Sequence, residues 1–349
     1  DLIPVDTGAL CMLREMAKAD HSPVEVIIGA SIIPEKSKKE LRAAMNSKTD
    51  RPGKKERLSI AFKRELDAER YPILQAHILG GKPVVPFALI SEWLGHGALH
   101  ENPGLLLHGI DDMRLLNGII LDHEKRAIRL LAGRARKKGE IYEVDVELRD
   151  GIKDGIEVVH SKAKAILTGQ LLPPPAFEQS SHPASKPYPR SMDEVYEKIL
   201  FHGRQMRGIR EIINYSSEGM TARVSTAPSP SEWMEEPLRS RWVADPLVLD
   251  SAFQLAIIWS FEEFGLVCLP SYFASYRQYC RSFPSTDITA IMEVKEANKH
   301  KLRCDYTFLS EDNAVLARLI GYEAIMDPSL YKTFKPGMHS ADTFGHPKK

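Results

Sequence analysis

The chain has 349 residues, 43% hydrophobic and 27% charged, enough to bury one large core or two modest ones. Its 47 basic and 47 acidic residues cancel and no basic face or stripe stands out, which argues against nucleic acid as a partner. No apolar run approaches the roughly 18 residues of a membrane span, no leader peptide is visible, and the scattered cysteines form no CxxC, so a reduced, cytoplasmic protein without membrane contact is expected.

The sequence starts at Asp1 rather than Met and reads as a piece cut from a longer chain. Residues 1–33 form a short unit: an amphipathic helix around Ala9–Ala19, then a strand at Val24–Gly29. Residues 34–57 are rich in Lys and Arg, contain Pro52-Gly53, and read as a solvated linker.

A first folded unit follows over 58–172. It holds a strand, then His77 in a loop with Gly81, then Pro86 at the start of a helix. Proline has a fixed φ and no N–H to lose, so it suits that position. Phe87, Ile90, Trp93, Leu94 and Ala98 then recur at helical spacing as a buried stripe. Partly alternating runs predict strands at Met113–Leu121, Arg126–Ala132, Ile141–Leu148 and Ile156–Leu167. Residues 173–192, dense in Pro and Ser, read as a linker crossing a surface.

The order then repeats over 193–327. Met206–Asn214 and Met220–Ser225 predict strands, and Asp245-Pro246 opens a nearly all-apolar helix over Leu247–Phe264. Asp250 and Gln254 are its polar exceptions, four residues apart and so on one face. Strands follow at Tyr272–Arg281, Ile288–Glu296, Leu302–Leu309 and Ala314–Ala324, and 328–349 reads as a frayed tail. The halves share no residue-level identity. What repeats is a long buried helix followed by antiparallel strands, an α+β arrangement in which each sheet wraps its helix and the two sheets can join.

His77-x-x-x-Gly81-x-x-x-x-Pro86 and Asp250-x-x-x-Gln254 resemble the HxxxGxxxxP and DxxxQ/H motifs of polyketide-synthase dehydratase domains. Phe201-His202-Gly203-Arg204-Gln205-Met206-Arg207 is similar to a degenerate form of their YGPxFQG segment, and Leu269-Pro270 to their Leu-Pro turn. The wording around Glu92-Trp93-Leu94 and Phe201-His202-Gly203 looks closest to the iterative synthases of polyunsaturated fatty acids. Residues 1–33 resemble the C-terminal end of a ketoreductase domain. The dehydratase resemblance covers about 57–327 and implies a double hotdog.

It also implies roles. His77 is expected as the base and Asp250 as the acid of a β-hydroxyacyl dehydration, with Gln254 and Gly81 in support: Gln254 to fix the Asp250 rotamer, Gly81 to offer backbone N–H to the thioester carbonyl. Pro86, His202, Gly203 and Met206 are candidates for lining a substrate tunnel, and Arg204 and Arg207 for shaping its mouth. Since His202 stands where that family has Tyr, no tyrosine role is carried over. The acid must hold a proton at rest, and desolvation among Leu247, Val248, Leu249 and Phe253 is expected to outweigh the helix-start dipole and keep Asp250 neutral. No metal or redox cofactor is implied; the acyl group arrives on the phosphopantetheine of an acyl carrier protein. Neighbouring synthase domains are the other expected partners, along with a second copy through edge-to-edge sheet pairing. Glu92, His96 and His100 share a helix face but lack a fourth ligand for a metal. A product-template cyclase or double-bond isomerase on the same fold, or a non-catalytic carrier-binding module, are the alternative readings.

Overall fold

Two helices buried along nearly their whole length need a sheet to surround them, and the computed structural model shows how the chain supplies it. It describes residues 58–334 apart from 123–124, 154–155 and 178–185; the readings for 1–33 and 34–57 lie outside the described residues.

In chain order come β1 (Ser59–Leu66), a hairpin of β2 (Ile78–Leu79) and β3 (Lys82–Pro83), and α1 (Phe87–His100). Then follow β4 (Leu106–Leu115), β5 (Arg126–Ala132), β6 (Arg136–Lys138), β7 (Ile141–Lys153) and β8 (Ile156–Thr168). The second half has α2 (Met192–Lys198), β9 (Ile209–Ser216), β10 (Gly219–Val224), α3 (Pro230–Trp233) and α4 (Pro246–Phe264). It closes with β11 (Cys268–Gln278), β12 (Ile288–Ala297), β13 (Lys301–Leu309), β14 (Val315–Met326) and α5 (Leu330–Phe334).

The strands form one 12-stranded sheet in the order β1-β5-β7-β8-β4-β11-β14-β13-β12-β10-β9, with β6 on β7, and every pairing is antiparallel. The halves meet where β4 pairs β11, with Arg114 opposite Tyr272 and Gly109 opposite Arg277. The first half-sheet curls around α1 and the second around α4, and the two helices also pack on each other. This is the double hotdog.

Both helices owe their position to burial. From Phe87 to Leu99 every residue of α1 is buried, and in α4 every residue from Pro246 to Phe261. The ends of α4 are set by local chemistry. The Asp245 side chain accepts hydrogen bonds from the Leu247 and Val248 N–H groups, and Gly265 takes the left-handed turn (φ 66°) that ends the helix. A cap of this kind contributes about 1 kcal/mol.

Three readings from the sequence need correction. The strand expected over Met113–Leu121 is β4, which starts earlier, at Leu106, and leaves the sheet at Leu115, because Asn117-Gly118 is a turn pair. The strand expected from Met206 begins at Ile209, after a 3-10 turn over Arg204–Met206. The tail read as frayed from 328 instead packs as far as 334: Tyr331 and Phe334 are buried, the Phe334 ring meets Phe201 at 4.7 Å, and Thr333 accepts a hydrogen bond from the Gly80 N–H. Residues 335–349 lie outside the described residues.

Candidate active site

His77 follows a 3-10 turn (Pro72–Ala76) and precedes the β2–β3 hairpin. The hairpin turns on Gly80 and Gly81, both at positive φ (59° and 79°), the two-residue turn that favours glycine. Its return strand brings the Val84 carbonyl back over His77, which donates its Nδ1–H to that oxygen at 2.7 Å. A carbonyl can only accept, so the proton sits on Nδ1 and the Nε2 lone pair is left to take another. Burial, and then the neighbouring His202, push the His77 pKa down from 6.5 to about 4, which keeps the ring neutral at ordinary pH.

His202 comes from the other half. It forms an antiparallel bridge with His77, and the two ring centroids lie 5.3 Å apart. Gly203 makes this approach feasible: its N–H donates to the Ala76 carbonyl at 2.8 Å, and a Cβ there would stand 2.9 Å from the Ala76 Cα. The His202 ring stacks on Phe201 at 4.0 Å. Its Nε2 lies 3.3 Å from Asp250 Oδ2, both side chains being almost wholly buried.

Asp250 projects from the second turn of α4, and Gln254 sits one turn on. The Gln254 amide ends a chain of donors, and the Met206 carbonyl, an acceptor only, fixes its orientation. Ile209 N–H donates to the Tyr196 hydroxyl at 2.9 Å, and that hydroxyl donates to Gln254 Oε1 at 2.8 Å. Gln254 Nε2 is then the donor end, reaching the Met206 carbonyl at 2.8 Å and Asp250 Oδ2 at 2.7 Å. His77, His202 and Asp250 each offer an atom within 4.8 Å of the others, and among the described residues no other three His, Cys, Asp or Glu side chains come so close. Gln254 already occupies Oδ2 with an N–H, a donor that a bound cation would oppose.

The expected ionisation of Asp250 is reversed. Burial raises its pKa, but the charge and hydrogen bond of His202, with His77 and Gln254 adding, outweigh that and leave it lowered. Desolvation and a helix dipole, the two effects weighed from sequence, do not include the partner that decides the balance. His202 itself lies beside the carboxylate. Pro86 is the buried residue before α1, Gly203 is the close-approach glycine, and Met206 holds Gln254 through its carbonyl. None of these four lines the cavity of about 600 Å³ that lies among Arg204, Arg207, Arg210 and Arg241. Arg204 and Arg207 line it. Gly81 is exposed at its hairpin tip, six residues before α1 begins.

Tyr196 is the site residue that sequence reasoning missed. It lies on α2, a helix not expected from the sequence, although Ser191 and Glu194 carry the Ser-x-x-Glu signature of a helix start, and the Ser191 hydroxyl accepts from the Glu194 N–H. On α1, Glu92 accepts a hydrogen bond from Val243 N–H and His96 packs on the Phe62 ring.

Comparison with known proteins agrees with this picture. Residues 174–326 match the family model described as the polyketide synthase dehydratase N-terminal domain, although in this chain they span the second half. Among curated proteins, a polyunsaturated fatty acid synthase polypeptide of Thraustochytrium sp. is 27% identical over 271 residues, which cover 77% of this chain and 9% of that protein. Among solved structures, the dehydratase domain from the CurF module of curacin polyketide synthase aligns with a TM-score of 0.60 at 16% identity, covering 76% of this chain and 92% of that one. A trans-AT polyketide-synthase dehydratase domain from Brevibacillus brevis aligns with a TM-score of 0.61 at 15% identity, covering 76% and 93%.

Proposed function

We propose that this chain, a dehydratase domain of the polyketide-synthase type, removes water from a β-hydroxyacyl thioester to leave the α,β-enoyl thioester. The acyl group would arrive on the phosphopantetheine arm of an acyl carrier protein, and the domain would work inside a multidomain synthase of the kind that makes polyunsaturated fatty acids. The observation that carries this reading is the buried contact between a neutral imidazole of the first half and a carboxylate with its own imidazole in the second.

Dehydration needs a base for the α-hydrogen and an acid for the departing hydroxyl, each contributing roughly 10²–10⁴-fold when positioned. His77 Nε2 is the base, its other nitrogen held by Val84. The Asp250 side of the site serves the hydroxyl. The thioester carbonyl gains negative charge as the α-proton leaves. For that charge the first turn of α1, which has no side-chain cap and begins ten residues after His77, is a better donor than exposed Gly81. The reaction is redox-neutral and two proton transfers complete it, so no metal or redox cofactor is invoked. A carrier-binding scaffold would have no use for these three groups buried in contact.

The test is to incubate the purified protein with a β-hydroxyacyl pantetheine thioester and, separately, a poly-β-keto thioester. Loss of water with enoyl absorbance from the first alone is expected. A cyclised aromatic product from the second, or no product from either, overturns the reading.

A further inference from the structure

We infer that the proton delivered to the departing hydroxyl is held by His202 as an imidazolium, with Asp250 as the ionised carboxylate that orients and charges it. This rests on the dehydration reading above and assigns a second catalytic imidazole.

The argument starts at Asp250 Oδ2. Gln254 Nε2 donates to it at 2.7 Å, and the flipped amide is ruled out because the Met206 carbonyl, 2.8 Å from Nε2, can only accept. His202 Nε2 lies 3.3 Å from the same oxygen. An oxygen met by amide and imidazole N–H donors is arranged as an acceptor, and a proton on it would face the Gln254 donor. The far nitrogen of the ring, His202 Nδ1, is buried and has no hydrogen-bond partner among the described residues. A substrate hydroxyl is the group that would meet it. Burial raises the Asp250 pKa, and the larger opposing effect of His202 and its neighbours supports the ionised form.

The proton count balances. At rest His77 is neutral, Asp250 negative and His202 positive. His77 Nε2 takes the α-hydrogen as the C–H bond breaks, its electron pair forms the C=C bond, and the C–O bond breaks. The oxygen leaves with the His202 Nδ1 proton as water. His77 is now positive and His202 neutral. With ring centroids 5.3 Å apart and Asp250 beside both, returning the proton from His77 to His202 resets the site without net exchange with solvent. The other ionisable groups facing the pair are the Tyr196 and Tyr322 phenols, both raised by burial and so neutral, and Arg207 over the Tyr196 ring at 5.1 Å.

The test uses the intact protein labelled with ¹⁵N-histidine, His202 being assigned by comparison with His202→Gln. Near neutral pH, His202 is expected to show two protonated ring nitrogens and His77 one. In turnover, His202→Gln keeps an N–H toward Asp250 but has no titrating proton, so kcat should fall by roughly 10²–10⁴-fold. Affinity for an unreactive β-hydroxyacyl analogue should fall far less than kcat. A neutral His202 in the nitrogen spectrum, or His202→Gln turning over at near the wild-type rate, overturns the inference. The spectrum needs no substrate, so it separates failure of this inference from failure of the dehydration reading.

Discussion

His77 and His202 face one another across an isolated antiparallel bridge, one from each half of the fold, and of the two only His77 has a backbone carbonyl holding its second nitrogen. That asymmetry assigns one ring as the acceptor of protons and leaves the other to pair with Asp250. It also sets the acid side of the pH profile. With its pKa lowered to about 4 by burial and by His202, His77 stays neutral well below pH 6. We therefore expect kcat/KM to hold level from pH 7 down to pH 5. An imidazole left at 6.5 would be mostly protonated at pH 5 and would cost roughly 30-fold. Steady-state rates across that range decide the matter, and a limb near 6.5 contradicts the burial argument.

Tyr196 acts at one remove, through Gln254. Tyr196→Phe deletes the acceptor for the Ile209 N–H and the donor to Gln254 Oε1. A buried N–H without a partner costs about 1–3 kcal/mol, so chemical denaturation should show a loss of that size. With Oε1 left without its donor, the Gln254 amide is held less firmly against Asp250, and kcat should drop by about tenfold with KM little changed. An unaltered kcat would remove Tyr196 from the account of the site.

Much of this arrangement could be read from residues in order. His77, Gly81 and Pro86 announced a loop feeding a helix, Asp245-Pro246 announced the start of α4, and the repeated helix-then-strands order announced two sheets, each wrapped around its helix. Those signals are local, set by proline, capping and apolar spacing, and local signals survive in a sequence. The contact between His202 and Asp250 is not local. It depends on Gly203 lying against Ala76 in the other half, and nothing in the segment 201–207 shows that from within. The neutral acid expected of Asp250 failed for the same reason, because the charge that decides its ionisation sits far away in sequence. Tyr196 differs: Ser191 and Glu194 marked its helix plainly, and only its meeting with Gln254 was out of reach.

Glu92 gives the fold a pH dependence of its own. Burial raises its pKa from 4.5 to about 7, against smaller opposing effects of the Val243 N–H and Arg239. The folded state then binds more protons than the unfolded one between pH 4.5 and 7, so this group withdraws stability as pH rises through that window. Glu92→Gln keeps an acceptor for Val243 and removes the ionisation. It should leave the Tm nearly unchanged at pH 4.5 and raise it at pH 8.5, where the relief amounts to about 3 kcal/mol. The buried His77 acts with opposite sign, withdrawing stability as pH falls from 6.5 towards 4, and is common to both proteins being compared. Equal Tm values at pH 8.5 would refute the role given to Glu92.

Phe334 ties the end of the described chain to the site. Its ring meets Phe201, whose own ring stacks on His202 at 4.0 Å. Phe334→Ala removes a buried aromatic, which typically costs about 3–5 kcal/mol, and loosens the wall behind His202. Lower stability in urea together with reduced kcat is expected. A variant with wild-type stability would mean that the segment does not pack as described.

The central claim is that His77 from one half and the Asp250–His202 pair from the other act on adjacent carbons of one substrate. The most direct measurement is the rate of water loss from a β-hydroxyacyl pantetheine thioester by the wild type, His77→Ala and Asp250→Asn, with circular dichroism confirming that each is folded. The account predicts a loss of at least roughly 10²-fold in each variant, with the double variant little worse than either single one. Full activity in both folded variants would contradict it.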